Sequence, residues 1–161
     1  MKSSFLISLC LAFLCSCQEP PVEEYAVIPQ PADIVYTPGL VKLKSRPVVA
    51  YPVELANEAQ FLQLYLFPDF SAEAVLKEGS GSADISLQLD PAVLPDKKEG
   101  YVLDATSGKI VIKANSPSGI LNGIHTLRQV IKEKDGKLLI QKATVTDYPA
   151  FSWRAFMLDE G

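Results

Sequence analysis

Short stretches in which apolar and polar residues alternate run through most of the chain, and this pattern is typical of half-buried β-strands. The clearest pair is at residues 101–105 and 109–114, where the tripeptide T-S-G between them predicts a hairpin. The tripeptide T-P-G at residues 37–39 predicts a turn between two further strands. The remaining predicted strands are residues 34–36, 40–44, 46–51, 83–89 and 138–145.

A first amphipathic helix is predicted at residues 54–67. It is expected to end before Pro68, because proline disfavours helical geometry in the residue that precedes it. Core packing accounts for its aromatic residues more simply than a sugar-binding platform does. The apolar face consists of Leu55, Ala59, Leu62 and Leu66.

A second helix begins after Ser116, which is a favourable N-cap, with Pro117 at the first helical position. It is expected to continue until Asp135 and Gly136 stop it. Gly119 and Gly123 fall on one helical face, where missing side chains let a backbone pack closely against a sheet. The buried stripe consists of Ile120, Ile124, Leu127 and Ile131.

These elements predict an α+β domain over residues 28–147, with a small, mostly antiparallel sheet and both helices packed on one face. The 161-residue chain has room for one such domain, and 48% hydrophobic residues is enough for its core.

The N-terminus predicts export. Residues 1–17 combine Lys2 with a short apolar run and the sequence L-C-S-C, which resembles a bacterial lipobox with Cys17 as the lipidated residue. Ordinary signal cleavage near Ser16 is the alternative. Residues 18–27 are expected to form an acidic, proline-bearing tether that is largely disordered. The predicted location is the bacterial membrane, with the domain lipid-anchored in the periplasm or at the cell surface.

The net charge and the positions of cysteine and histidine exclude several classes of function. A net charge of −4 without basic clusters in the sequence argues against nucleic acid as a partner. All three cysteines lie in the first seventeen residues, so the predicted domain has neither a disulfide nor a thiolate metal site. His125 is the only histidine and is expected to lie on the surface. A lone histidine supplies neither a metal site nor a catalytic triad.

The last fifteen residues are more apolar than an exposed segment should be. Residues 153–158 predict a strand buried on both faces, typical of a parallel sheet or barrel, although an edge strand of the preceding domain is an alternative. The sequence D-Y-P-A-F-S-W-R-A-F-M-L-D at residues 147–159 resembles the start of the catalytic barrel in family 20 glycoside hydrolases, the exo-β-N-acetylhexosaminidases. Ala150 and Ala155 depart from the arginine and glycine that are common there.

Two further matches support this resemblance. The sequence S-P-S-G-I-L-N-G-I-H-T-L-R-Q-V at residues 116–130 resembles the G-x-x-x-G-x-x-T-L-x-Q-L helix of the family's accessory domain, and residues 101–113 resemble the hairpin before it. The resemblance implies an accessory domain, followed at residues 148–161 by a linker and the first strand of a truncated (β/α)8 barrel. It also implies that Asp159 helps to shape a sugar pocket and that Arg154 is a structural ion-pair partner.

The resemblance implies removal of terminal β-linked N-acetylglucosamine or N-acetylgalactosamine with retention, the 2-acetamido oxygen of the substrate acting as nucleophile. It implies neither a metal nor an organic cofactor. The adjacent Asp159 and Glu160 do not take the catalytic roles, because the family's acidic pair lies in an H-x-G-x-D-E sequence on a later strand. This chain alone is therefore expected to be inactive. The alternative is a freestanding surface lipoprotein that binds glycans or a protein partner without catalysis.

Overall fold

The computed structural model describes residues 22–151 together with Trp153 and Met157. The predicted signal peptide, Cys17, Arg154 and Asp159 lie outside the described residues. Eight strands, two helices and a short 3-10 turn make up the described part of the chain. In order they are β1 (Asp33–Leu43), β2 (Val48–Tyr51), the 3-10 turn (Val53–Leu55), α1 (Ala56–Phe70), β3 (Val75–Glu78), β4 (Ile85–Leu89), β5 (Tyr101–Asp104), β6 (Ile110–Ala114), α2 (Pro117–Val130), β7 (Lys132–Lys134) and β8 (Lys137–Asp147).

All eight strands belong to one sheet with the order β1-β8-β5-β6-β4-β2-β3, and β7 pairs with β8 beside this path. The α+β class is confirmed, but the sheet is mixed rather than mostly antiparallel. Strand β2 is parallel to both β3 and β4, and β4 is parallel to β6. The β2–β3 pair is parallel because α1 carries the chain back across the sheet between them, as a parallel connection requires.

The helices and sheet enclose a single apolar core. Tyr101, Leu103 and Ile112 of the central hairpin are buried, as are Ile120 and Ile124 of α2. The predicted apolar faces of both helices are buried as well. None of the described helices has the length and apolarity needed to cross a membrane.

The predicted turn at residues 37–39 is an irregularity within one long strand. In the pairing of β1 with β8, Tyr36 lies opposite Ala143 and Leu40 opposite Gln141, so β1 carries extra residues there. Gly39 has a φ of +103°, which glycine adopts without strain. The side-chain amide of Gln141 donates to the carbonyls of Thr37 at 2.8 Å and Gly39 at 3.0 Å, and so stabilises the bulge.

Helix α1 continues through Pro68, contrary to the prediction that it ends at residue 67. Proline removes one backbone donor, and it is tolerated here close to the C-terminal end of the helix. The helix ends at Ser71, whose φ of +49° is left-handed and whose amide hydrogen-bonds to the carbonyl of Leu66. Strand β3, which follows, was not predicted from the sequence.

Helix α2 begins as predicted, since the hydroxyl of Ser116 accepts a hydrogen bond from the amide of Gly119. Its predicted end is wrong. The helix stops at Val130, and Ile131 is extended and buried. Asp135 and Gly136 instead form the two-residue turn of a hairpin between β7 and β8, with φ values of +52° and +69°.

The predicted tether is partly folded onto the domain. The amide of Glu23 donates to the side chain of Gln141 at 3.3 Å, the hydroxyl of Tyr25 donates to the carbonyl of Gln141, and Val27 is buried. Glu23 also forms an ion pair with Lys132. Tyr25 and Val27 pack against the core, although the acidic composition of the segment predicted disorder. Residues 23–27 therefore belong to the folded domain.

Candidate functional site

A groove with a volume of about 710 Å³ lies between α2, the N-terminal segment and the residues that follow β8. Its apolar rim includes Ile28 and Phe151, whose exposed fractions are 81% and 73%. Apolar side chains this exposed, gathered around one concave surface, are typical of a surface that contacts another part of a protein. The α2 wall of the groove consists of Asn122, His125, Thr126 and Gln129.

Asp147 joins three parts of the chain at the base of the groove. Its carboxylate accepts a hydrogen bond from the amide of Ala32 at 3.1 Å and one from the hydroxyl of Tyr101 at 3.4 Å. Tyr101 also hydrogen-bonds to the buried hydroxyl of Thr126 on α2, with 2.5 Å between the oxygens. The network therefore holds the N-terminal segment, the sheet and α2 in one arrangement.

Tyr101 is kept in its neutral form. Burial raises the pKa of its phenol, and the negative charge of Asp147 raises it further, although the hydrogen bond with Thr126 works in the opposite direction. A phenol that holds its proton this firmly is suited to structural hydrogen bonding and not to proton transfer near neutral pH.

Gln129 fixes the other side of the groove. Its side-chain oxygen accepts a hydrogen bond from the amide of Ile28 at 3.0 Å, next to the cis peptide bond between Ile28 and Pro29. The N-terminal segment is thus hydrogen-bonded both to α2 and to the end of β8.

His125 lies on the surface, where it contacts two aromatic rings of α1. Its ring centroid is 5.4 Å from that of Phe61 and 5.8 Å from that of Tyr65. The guanidinium of Arg128 lies 4.9 Å from the Tyr65 ring centroid and pairs with Asp69. Phe61 and Tyr65 meet edge to face at an interplanar angle of 85°, so they offer no common flat surface for stacking a sugar ring.

A second, smaller groove of about 400 Å³ lies between residues 96–99 and residues 148–151. The ammonium group of Lys97 lies 4.4 Å from the centroid of the Tyr148 ring, a cation–π distance. Asn122 donates to the carbonyl of Glu99 at 2.9 Å, and Ser116 donates to the carbonyl of Lys98. These contacts connect the start of α2 to the segment that leaves the domain.

The large groove lacks the groups that glycoside hydrolysis needs. Among the described residues that line it, Asp147 alone carries a carboxylate, and that carboxylate is already hydrogen-bonded within the fold. Most glycosidases require two acidic side chains around the scissile bond. Among the described residues, no group of His, Cys, Asp and Glu side chains is placed to bind a metal ion.

Gly119 and Gly123 lie where α2 touches the sheet. A Cβ on Gly119 would lie 2.7 Å from the Cβ of Ala114 and closer still to the carbonyl oxygen of Gly100. A Cβ on Gly123 would lie 2.5 Å from a methyl group of Ile112. The remaining sequence-predicted residues, Cys17, Arg154 and Asp159, lie outside the described part of the chain.

The sequence patterns predict no role for Asp147, Gln129 or Gln141. Asp147 and Gln129 lie inside the motifs at residues 147–159 and 116–130, but a motif does not show which residues they hydrogen-bond to in the fold. Gln141 carried one detectable signal, since it is a polar residue between the buried Ile140 and Ala143 of β8. A buried amide needs hydrogen-bond partners, which here come from residues a hundred positions earlier.

Comparison with known proteins identifies the domain. The family model described as "Glycosyl hydrolase family 20, domain 2" matches residues 24–148. A β-N-acetylhexosaminidase of Cellulomonas fimi is 31% identical over 83 residues, which are 51% of this chain and 16% of that protein. A β-hexosaminidase of Porphyromonas gingivalis is 27% identical over an alignment of 168 positions, gaps included, that covers 93% of this chain and 22% of that protein.

The fold agrees with this match. The crystal structure of a β-N-acetylhexosaminidase from Bacteroides fragilis superimposes with a TM-score of 0.69 at 28% identity, covering 84% of this chain and 27% of that one. The chain spans less than a quarter of the length of both curated relatives named above. It belongs to glycosyl hydrolase family 20, and residues 24–148 form domain 2 of that family.

Proposed function

We propose that this chain is the N-terminal portion of an exported exo-β-N-acetylhexosaminidase. The complete enzyme would hydrolyse terminal β-linked N-acetylglucosamine or N-acetylgalactosamine by substrate-assisted retaining catalysis, with its catalytic acids outside this chain. The observation that carries the proposal is the match of residues 24–148 to the family's second domain, in a chain that spans 16% and 22% of two relatives named as hexosaminidases.

Within such an enzyme, the role of this domain is to support the catalytic barrel. The large groove and its exposed apolar rim provide a contact surface for it, and the chain leaves the domain along that groove through residues 148–151. The hydrogen bonds of Asp147 fix the direction in which the chain leaves. Residues 153–158 would form the first barrel strand, with Arg154 as an ion-pair partner and Asp159 at the rim of the sugar pocket.

The exposure of the terminal segment agrees with this assignment. Trp153 and Met157, the two described residues of the proposed strand, have no regular secondary structure and are 79% and 88% exposed. Large apolar side chains in this position need a covering surface, which the remaining strands and helices of a barrel would supply.

The test is an activity measurement on the purified 161-residue chain with a chromogenic N-acetyl-β-glucosaminide. We expect no turnover above background, because the groove of this domain lacks a free acidic pair. A full-length family 20 hexosaminidase serves as the positive control. Appreciable turnover by this chain would contradict the assignment of catalysis to residues outside it.

The N-terminus supports a second part of the proposal, lipid anchoring through Cys17 after removal of residues 1–16. The L-C-S-C sequence at residues 14–17 is its basis. Incorporation of labelled palmitate into the wild-type chain, and its loss in Cys17→Ser, is the expected result. Equal labelling of both chains would exclude Cys17 as the lipidated residue.

A further inference from the structure

Four lysines, three of them within residues 132–137 and one on β1, share one face of the sheet at the β7–β8 hairpin. Lys42 of β1 and Lys132 of β7 both lie opposite Leu139 of β8, one on each side. Residues directly opposite on neighbouring strands project to the same face. Lys137 lies two residues before Leu139 on β8 and therefore shares its face, and Lys134 lies opposite Lys137. We call Lys42, Lys132, Lys134 and Lys137 the lysine face; all four are exposed.

Most of the positive charge on this face has no partner within the domain. Lys132 pairs with Glu23, but among the described residues no carboxylate forms an ion pair with Lys42, Lys134 or Lys137. Glu133 lies opposite Leu138 and so belongs to the other face of β7. Like charges directly opposite, such as Lys134 and Lys137, repel each other. Asp135 lies in the turn between Lys134 and Lys137, beyond the paired residues of the face. The full chain carries a net charge of −4, so the lysine face differs in sign from the chain as a whole.

The N-terminal segment leaves the domain beside this face. The ion pair between Glu23 and Lys132 places residue 23 at its edge, and the hydrogen bond from the Glu23 amide to Gln141 holds the backbone there. Cys17 lies six residues earlier in the chain. Six extended residues reach about 20 Å at most. A lipid on Cys17 would therefore keep residue 23, and with it the edge of the lysine face at Lys132, within about 20 Å of the bilayer surface.

We propose that the lysine face rests on the anionic headgroups of the membrane to which the chain is anchored. The orientation rests on the proposed lipid at Cys17, whereas the affinity of the face for anionic lipid does not. A basic surface next to a lipid chain gives firmer attachment than the lipid alone. Each lysine held near an anionic surface strengthens binding about fivefold. The contact would also orient the domain, with the β7–β8 hairpin toward the lipid.

The experiment uses the full chain carrying Cys17→Ser, so that no lipid contributes to binding. Cosedimentation is measured with vesicles of phosphatidylcholine alone and of phosphatidylcholine mixed with phosphatidylglycerol. The triple variant Lys42→Gln, Lys134→Gln, Lys137→Gln removes the three unpaired charges of the face. The matched control is Lys77→Gln, Lys98→Gln, Lys109→Gln, which removes three exposed lysines elsewhere and gives the same net charge.

We expect a preference for phosphatidylglycerol vesicles that salt weakens. The face variant should lose at least about tenfold in affinity for them, while the control retains nearly all of it. An equal loss in both triple variants, or the absence of any preference for phosphatidylglycerol, would overturn the proposal. If thermal unfolding shows that the face variant is not folded, Lys134→Gln with Lys137→Gln replaces it under the same expectation, against Lys77→Gln with Lys98→Gln.

This result is independent of the proposed function. Failure of palmitate labelling would remove the anchor but leave vesicle binding by the lysine face in place. Absence of vesicle binding would rule out the lysine face as a membrane contact. It would not affect the proposals that Cys17 is lipidated and that the chain is part of a hexosaminidase.

Discussion

Individual side chains, and their absence, decide how closely α2 lies against the sheet. Gly119 and Gly123 bring the helix backbone over Ala114 and Ile112, where any side chain would meet atoms of the sheet. Tyr101, whose ring lies 3.2 Å from the position of a Cβ on Gly123, connects the same contact to Asp147 through its hydroxyl. The packing of the helix and the polar base of the groove therefore depend on one small set of residues.

Gly119→Ala should destabilise the domain. The added methyl group would overlap the backbone carbonyl of Gly100, which cannot move as a flexible side chain can. Overpacking costs about 1–3 kcal/mol, and a clash with a fixed backbone atom belongs in the upper part of that range. This exceeds the roughly 1 kcal/mol that alanine gains over glycine within a helix. Urea unfolding should show a lower midpoint for Gly119→Ala. Ser118→Ala, at an exposed position of the same helix, is the control and should leave the midpoint unchanged or slightly raised.

Tyr101→Phe should change how stability depends on pH. Because burial raises the pKa of Tyr101 in the folded state, the unfolded chain loses this proton at about pH 10 while the folded chain retains it. The contribution of Tyr101 to the free energy of unfolding is therefore complete below pH 10 and declines as the pH rises above 10. Unfolding free energies measured from pH 8 to 11 should fall less steeply for Tyr101→Phe than for wild type. Parallel curves would contradict this expectation.

At neutral pH the same variant tests the hydrogen bond itself. Removal of the hydroxyl leaves the buried Thr126 without its partner, and such losses cost about 1–2 kcal/mol. In Tyr101→Phe the free energy of unfolding should still decline somewhat above pH 10, because burial also raises the pKa of Tyr25. Tyr51→Phe, at a tyrosine outside this network, is the matched control.

Whole elements differ in how much of their structure comes from nearby sequence. The β5–β6 hairpin and the start of α2 were predicted correctly, because a glycine turn and an N-cap act within a few residues. Strand β3 was missed, since four residues carry little periodicity and its partner β2 lies parallel to it across α1. The docking of residues 23–27 was missed because its hydrogen-bond acceptor, Gln141, is far away in the sequence.

The C-terminal end of α1 offers an element-scale prediction. Ser71 adopts a left-handed conformation that costs most residues about 1–2 kcal/mol but is unstrained for glycine. Ser71→Gly should therefore raise the free energy of unfolding by about 0.5–1 kcal/mol, since the greater freedom of glycine in the unfolded chain offsets part of the gain. Chemical denaturation measures this change. Ser71→Ala, which keeps the strain, should show no gain, and equal stability of the two variants would contradict the strain argument.

On the scale of the molecule, the groove could not be derived from the sequence. Its walls come from residues 27–32, 122–129 and 147–151, and only the folded sheet brings these segments together. The family, in contrast, was predictable, because the motifs at residues 101–113 and 116–130 are local patterns that the fold keeps intact. The lysine face, like the groove, could not be derived from the sequence, because Lys42 lies ninety residues before Lys132 and only the folded sheet brings them together.

Trp153 provides a molecule-scale prediction, because it is the single tryptophan of the chain and is 79% exposed. Its fluorescence in the folded 161-residue chain should be quenched by iodide almost as strongly as in urea. In a longer protein that contains the proposed barrel, the same residue should be shielded. Blue-shifted emission and weak quenching in this chain would mean that the terminal segment is already packed, and the assignment of residues 153–158 to a barrel strand would lose its support.

The pairing of Asp33 with Thr146 has a mechanical consequence. The first strand starts and the last strand finishes at the same end of their shared ladder. Once residues 23–27 have detached from β7 and β8, tension between an N-terminal anchor and a C-terminal partner would therefore pull β1 and β8 apart sideways. Bonds loaded in this way give way one pair after another instead of sharing the force. Domain 2 would then yield at low force and extend, sparing whatever is attached beyond it.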